Sequence, residues 1–585
     1  MKLPSPSVVT PFPFIEELKD YSLPTFRADL MAALAVALMA IPQSIAYSLL
    51  AGLPPTAGLY AAIFGTLLTA SFGSSRHLIS GPTTGVALLI QTTIADLLYT
   101  YFSSTTGAAR DALVMHLLTQ VILVMGLVQV GLAFFNVAKL LQFVSRPVTL
   151  GYFAGIASAI VVSQSFAIAG IAAPAGDQPV LLRAVGLLGH LLQISWPTLL
   201  VGTLSFAALA YLQKRIPNWP YGLFMLAGAS LLAWGINVGL GQETVATLGD
   251  LNLAGRLLPK LKFPLLDLYL LSKIFPGALA VALLALLEMY SVSRQYAVMG
   301  GYRTSVNQDV FGLGVGNLTL SFLSGAMPAS GSATRTALGY RLGAKTRGAA
   351  MLAALLTAGA LIVCWPLIGR IPPAALAALL FATVPSLVPM KEVRLCVRAT
   401  KEDAWIFFLT FTACLLFTLD IAFFIGILLS IASYLRKSSV PHLVEYAFNA
   451  KGRLMVVNLK EDAHRKVRII GIGGDLYFAT AEVFQNALQT LAEDPDVQAI
   501  VLRLNNVYHM DASICLSILR LHETLHETKR HLVISGLSEE VWHVFHRAGL
   551  VQHIGLDNLY FSDESNPQFS TWKGCLRAQE LIHKT

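Results

Sequence analysis

Hydrophobic residues in this chain fall in long uncharged blocks, not in the alternating or narrow-stripe patterns of a water-soluble core. Residues 30–75 contain no Asp, Glu, Lys, Arg or His, and further uncharged runs cover 147–176, 216–242, 310–334, 348–369 and 371–390. A bilayer crossing needs about 20 apolar residues. The pattern predicts spans near 28–51, 56–73, 82–102, 110–135, 147–168, 196–213 and 219–239. A second set follows near 272–293, 309–326, 332–343, 348–369, 372–389, 404–419 and 421–435. The longer connection 240–269 falls where the halves of a two-repeat protein would join. Because seven spans is an odd number, a direct sequence repeat would lie inverted in the membrane.

The repeat is visible in residues. The stretch 69–85, TASFGSSRHLISGPTTG, aligns without gaps to 319–335, TLSFLSGAMPASGSATR. They share Thr69/Thr319, Ser71/Ser321, Phe72/Phe322, Ser74/Ser324, Ser80/Ser330, Gly81/Gly331 and Thr84/Thr334. Chance would give roughly one or two such matches. Each copy follows an apolar run, breaks in Gly, Ser and Pro, then resumes a helical pattern. Broken backbone at membrane depth survives only inside protein or along a watery cavity. Paired breaks in two halves point to a transporter's midplane site.

Composition agrees with a polytopic membrane protein. Of 585 residues, 55% are apolar and 13% charged, where a soluble protein carries about a quarter charged. The net charge of +8 is not read as nucleic-acid binding, because the basic residues sit in short loops. Lys139, Arg146, Lys214, Arg215, Arg294, Arg303, Arg341, Lys345, Arg347, Lys391, Arg394, Arg398, Lys401, Arg436 and Lys437 fall on one side of the expected topology. Arg110, Arg183 and Arg370 fall on the other, and Arg256, Lys260 and Lys262 lie in the long central loop. By the positive-inside rule both termini are expected in the cytoplasm. The Pro-rich segment 1–26 lacks the basic-then-apolar signal pattern. Cys364, Cys396, Cys414, Cys515 and Cys575 are not spaced for metal or redox work.

After about residue 438 the composition becomes that of a soluble domain. Strands are expected at 467–472, 499–504 and 532–536, with helices at 481–491, 513–525 and 541–548, an α/β alternation.

These residues resemble the SulP sulfate-permease family of anion transporters. The resemblance runs through IPQSIAYSLLAGLPPTAGLY (41–60), SGPT (80–83), GVGNLTLSFLSGAMPASGSATRT (314–336), VLRLNNVYHMDAS (501–513) and HRAGLVQHIG (546–555), the last two within a STAS-like domain. It implies a multi-pass α-helical protein with fourteen spans in a seven-plus-seven inverted repeat. It also implies uracil-permease-like core and gate domains, elevator-type movement and a homodimer. The boundaries are an N-terminal segment 1–26, a transport domain 27–437 (repeats about 27–240 and 270–437), a STAS domain 438–565 and a tail 566–585. The implied role is secondary transport of a small inorganic anion across the cell membrane, sulfate with a proton. Sodium-coupled bicarbonate transport or chloride/bicarbonate exchange is the alternative. No enzymatic activity, cofactor, metal or nucleic-acid partner is expected.

Helix starts at Thr83, Thr84, Gly85 and at Ala333, Thr334, Arg335 would aim unpaired N–H groups at the anion. Close packing of small residues is the plainer reading. Arg335 at membrane depth needs an anion, water or a fixed pair with Glu288. Gln43 and Tyr47, four apart on one helix face, would line the site or merely join helices. Glu288 is the candidate ion-coupling carboxylate. Several relatives carry Phe where Thr83 stands. His522 and His526 form an HExxH pattern, a zincin signature, set in a helix whose Ile514, Ile518, Leu521 and Leu525 already make a core stripe. Asp511 is followed by Ala512, not by the Ser of phosphorylated soluble relatives.

Overall fold

The computed structural model describes residues 10, 13–18, 21–135, 144–172, 178–216, 219–240, 244–250, 258–264, 267–438, 442–449, 452–457, 465–563 and 565–584. Lys139, Arg256 and half of the 1–26 segment, all used in the sequence reading, lie outside the described residues. The chain divides into two compact units, Met1–Ser430 and Ile431–Thr585.

The first half of unit 1 runs α1 (Phe14–Leu18), α2 (Leu23–Leu50), α3 (Pro55–Tyr60), α4 (Thr66–Phe72), β1 (Ser80–Gly81), α5 (Thr84–Tyr101) and α6 (Gly107–Phe134). It continues with α7 (Arg146–Ala169), α8 (Val180–Gly189), α9 (Trp196–Arg215) and α10 (Tyr221–Leu240). The second half runs α11 (Leu268–Met299), α12 (Val306–Ser321), β2 (Ser330–Gly331), α13 (Ala333–Arg341) and α14 (Gly348–Ile368). It ends with α15 (Pro373–Leu387), α16 (Met390–Ala399), α17 (Lys401–Leu416) and α18 (Leu419–Ser438). Among the described residues, eight helices are long and apolar enough to cross a membrane.

The spans fall where the hydrophobic blocks put them, with three physical departures. A π-helical turn at Ala61–Gly65 joins α3 to α4. The helix α11 overruns the expected 272–293, so Arg294 is helical rather than in a loop. Short helices α8 and α16 stand at matching places between the fifth and sixth spans of the two halves. Neither is long enough to cross, so neither is a span.

Packing sorts the helices into two groups. α2–α6 contact α11–α14, chiefly α6 on α12 and α2 on α14, while α7 and α9 pack on α15 and α17. These are the core and gate groups of an inverted-repeat carrier. The sequence-matched dipeptides pair antiparallel, Ser80 with Gly331 and Gly81 with Ser330. Each residue faces the equivalent of its chain neighbour, as an approximate two-fold axis through the pair requires. With an odd number of spans in each half, the repeat is inverted.

Unit 2 is an α/β layer structure. Six strands lie in the order β4 (Leu454–Val456), β3 (His442–Phe448), β5 (Val467–Leu476), β6 (Ala499–Met510), β7 (His531–Leu537), β8 (Leu559–Phe561). The run β5–β8 is parallel, and β3 joins antiparallel. Helices α19 (Phe478–Glu493), α20 (Ala512–Glu527), α21 (Glu539–Arg547) and α22 (Leu550–Ile554) complete the alternation. Residues 566–585, read as a tail, instead include α23 (Phe569–Lys584), which packs on β6 and β7. Its buried face is Ser570, Thr571, Gly574 and Ala578, small residues that leave little hydrophobic periodicity to read.

Arg468 on β5 ties this sheet together, donating to both carboxylate oxygens of Glu445 at 2.8 Å and to Asp494 at 3.3 Å. Hydrogen bonding to Glu445 raises the Arg468 pKa above its ordinary value; burial opposes this, and the charges of Glu445 and Asp494 add to it. Removing the cation strands a carboxylate, Glu445, that is only 9% exposed. Arg468→Ala is therefore expected to destabilise unit 2 by about 2–4 kcal/mol, seen as an earlier calorimetric transition of the full chain. An unshifted transition would show that the pair contributes no stability.

Candidate functional site

At the centre of unit 1 two helices begin side by side because two Gly/Ser/Pro breaks stop the preceding spans. Thr83 is the extended N-cap of α5, and Ser332 is the extended N-cap of α13. The first N–H groups of each helix have no intrahelical acceptor, and the partial positive ends of both dipoles meet at the β1–β2 pair.

Arg335 connects the two halves. It is buried, with 1% of its surface exposed. Its Nε donates to the Ser332 hydroxyl at 3.1 Å, and its Nη2 donates to the Pro82 carbonyl on the other half. Gly81 makes room for this crossing. Its φ is +140°, and a Cβ there would stand 2.6 Å from Arg335 Nη1. No carboxylate forms an ion pair with Arg335 among the described residues. The fixed Arg335–Glu288 bridge is therefore absent.

Glu288, on α11, is held instead by hydroxyls from both halves. Thr83 Oγ1 donates to Glu288 Oε2 at 2.6 Å, and Ser330 Oγ lies 2.7 Å from the same oxygen, also within reach of the Ala285 carbonyl at 3.0 Å. The other oxygen, Oε1, abuts Gly85, where a Cβ would approach to 2.6 Å. The Thr83 hydroxyl is thus committed to Glu288.

Gln43 and Tyr47 lie on α2 and both are buried. Tyr47 neighbours Thr84, Arg335 and Glu288 electrostatically. Gln43 Oε1 has no hydrogen-bond partner, which is costly for a buried amide unless water or a ligand supplies the donor. A cavity of about 540 Å³ is lined by Gln43 and Thr334 together with Tyr221, Tyr340 and Arg341. Ala333 is exposed in the first turn of α13, while Thr84 and Gly85 are buried. The structure therefore brings together Tyr47, Thr83, Thr84, Gly85, Glu288 and Arg335, with Gln43 and Thr334 lining the cavity. Sequence reasoning passed over Ser330, Ser332 and Gly81. The signal was present for two of them, because Ser80/Ser330 and Gly81/Gly331 are matched positions of the repeat.

In unit 2, His522 and His526 share a helix face with ring centroids 6.0 Å apart. Among the described residues, no group of three or more His, Cys, Asp or Glu stands together to hold a metal. Asp511 caps α20, accepting from the Ser513 and Ile514 amides, and its second oxygen accepts from the Phe478 amide.

The sulfate permease family model matches residues 26–410, and the STAS domain model matches 455–564. The chain belongs to the sulfate permease family. This is a family of membrane transporters, not of enzymes. Sulfate transporter 4.1, chloroplastic, of Arabidopsis thaliana is 26% identical over 93% of this chain and 80% of its own length. YvdB of Bacillus subtilis is 26% identical over 94% of this chain and 98% of its own. Among solved structures, murine Slc26a9 in its inward-facing state matches this permease with a TM-score of 0.86 at 17% identity, covering 97% of this chain and 94% of that one. The transmembrane domain of the cyanobacterial bicarbonate transporter BicA gives 0.59 at 18%, covering 70% and 98%. At these identities the structural likeness speaks for the fold alone.

Proposed function

We propose that this permease is a secondary active transporter of small inorganic oxyanions that carries sulfate together with a proton. The observation carrying the reading is a buried guanidinium that, among the described residues, has no carboxylate partner, set where two helix N-termini meet. That arrangement offers charge-assisted donors to an anion. The relatives named as sulfate transporters support sulfate as the cargo. Elevator-type movement of the core group against the gate group would carry the site across the bilayer, and a homodimer would anchor the gate. The protein sits in the cell membrane with both termini cytoplasmic.

Labelled sulfate uptake into proteoliposomes, with bicarbonate as competitor, tests the cargo. Sulfate uptake that resists bicarbonate supports the reading, whereas bicarbonate accumulation without sulfate uptake makes the chain a bicarbonate carrier. For topology, a cysteine placed at Thr105 is expected to react with an impermeant reagent from outside, and one at Arg436 only after permeabilisation. The reverse pattern would overturn the orientation.

A further inference from the structure

Unit 1 holds a second cavity, of about 680 Å³, walled by the α1 region and by the loops α4–β1, α11–α12 and α13–α14. Its lining shares no residue with the site at β1–β2. Among the described residues, four cations line it, Arg76, Arg303, Lys345 and Arg347, against one lining carboxylate, Glu17. Glu17 is engaged by Arg347 at 3.0 Å and Arg76 at 3.6 Å. Arg303 and Lys345 have no ion-pair partner among the described residues. Arg347 is 6% exposed; its Nη1 donates to the Gly73 carbonyl, while its Nε has no acceptor.

Two more carboxylates stand behind the wall, but their oxygens are taken up in shaping it. Asp29 accepts from the Lys345 and Thr346 amides at 2.7 and 3.2 Å and from the Tyr21 hydroxyl at 3.1 Å. Asp309 accepts from the Ser74 and Ser75 amides at 2.6 and 3.0 Å and from the Ser293 hydroxyl. Both loops are therefore held rigidly with their cations turned to one space.

We propose that this cavity binds a ligand bearing two or more phosphate groups. Arg347 is buried while Arg76, Arg303 and Lys345 are exposed, and a polyanion would meet several of their donors at once. The volume lies within the small-molecule range of about 300–1,000 Å³. The charged side chains of the lining favour an anion over an apolar ligand, and four cations exceed what a single monoanion would need. The loop α4–β1 leads into one half-helix, and the loop α13–α14 leaves the other. A bound polyphosphate would tether the loop that enters one half-helix to the loop that leaves the other. The phosphates can come from a soluble molecule or from the headgroup of a phosphorylated lipid.

The test uses the full chain in neutral-lipid nanodiscs, with inorganic pyrophosphate as the probe and saturating sulfate to occupy the transport site. Wild type is expected to bind pyrophosphate by calorimetry. Binding should persist in Arg335→Gln, weaken at least tenfold in Arg303→Gln/Lys345→Gln, and be retained in Arg303→Lys/Lys345→Arg. Nanodiscs containing a phosphorylated inositol lipid distinguish the sources. Loss of pyrophosphate binding there assigns the cavity to the lipid headgroup, whereas unchanged binding assigns it to a soluble ligand. Absence of pyrophosphate binding in neutral lipid, or binding abolished by Arg335→Gln but not by the double Gln variant, would overturn the proposal.

Discussion

Arg335→Gln is expected to weaken sulfate binding by well over tenfold in a protein that still folds. A charge-assisted contact in a poorly hydrated site contributes about 1.5–3 kcal/mol, and each 1.4 kcal/mol is about a factor of ten. Folding should survive because no carboxylate depends on this guanidinium. Its partners are the Ser332 hydroxyl and the Pro82 carbonyl, and a glutamine amide can still donate to one of them. Arg335→Lys should not restore wild-type affinity. A single ammonium cannot span from Ser332 to Pro82 while presenting a planar fork to an oxyanion. Equilibrium binding of labelled sulfate to the purified variants measures this directly. Unchanged affinity in Arg335→Gln would remove Arg335 from the site.

Much of this architecture could be read before any coordinates, and the reasons are local. Uncharged blocks long enough to cross a bilayer have few other fates, so the span positions followed from composition. The matched breaks at 80–81 and 330–331 were legible because both halves need the same turn, and they became β1 and β2. The partners of Glu288 were not legible. A carboxylate and an arginine at similar depth suggest an ion pair, yet the chain brings Thr83 from one half and Ser330 from the other to Glu288. Such a choice rests on how α11 packs against α5 and β2, which no spacing along the chain encodes. The Arg335 crossing to Pro82 depends likewise on Gly81 lacking a Cβ. The basic cavity was hidden differently, because its four cations belong to three separate loops; Arg303, Lys345 and Arg347 were counted only as orientation signals, and Arg76 was not used.

Glu288→Gln is expected to keep anion exchange and to lose accumulation driven by a pH gradient. Under the proposed proton coupling, the carboxylate must exist in two charge states within one packed site. Its partners suit that demand, since a hydroxyl can donate to a carboxylate or accept from a carboxylic acid. An arginine partner would have fixed the ionised form. Ionised Glu288 places negative charge near the helix starts and competes with an incoming anion for their field; protonation removes that competition, so proton and anion load together. Glutamine imitates the protonated form permanently. With its carbonyl oxygen at the position of Oε2 it can accept from both hydroxyls, so the geometry around Thr83 and Ser330 should hold. Counterflow of labelled sulfate should then proceed without a gradient, while an inward proton gradient should no longer concentrate it. Sodium-driven accumulation lost in the same variant would assign Glu288 to sodium instead. If the variant concentrates sulfate under a proton gradient as wild type does, Glu288 holds the two half-helices together and carries no coupling ion.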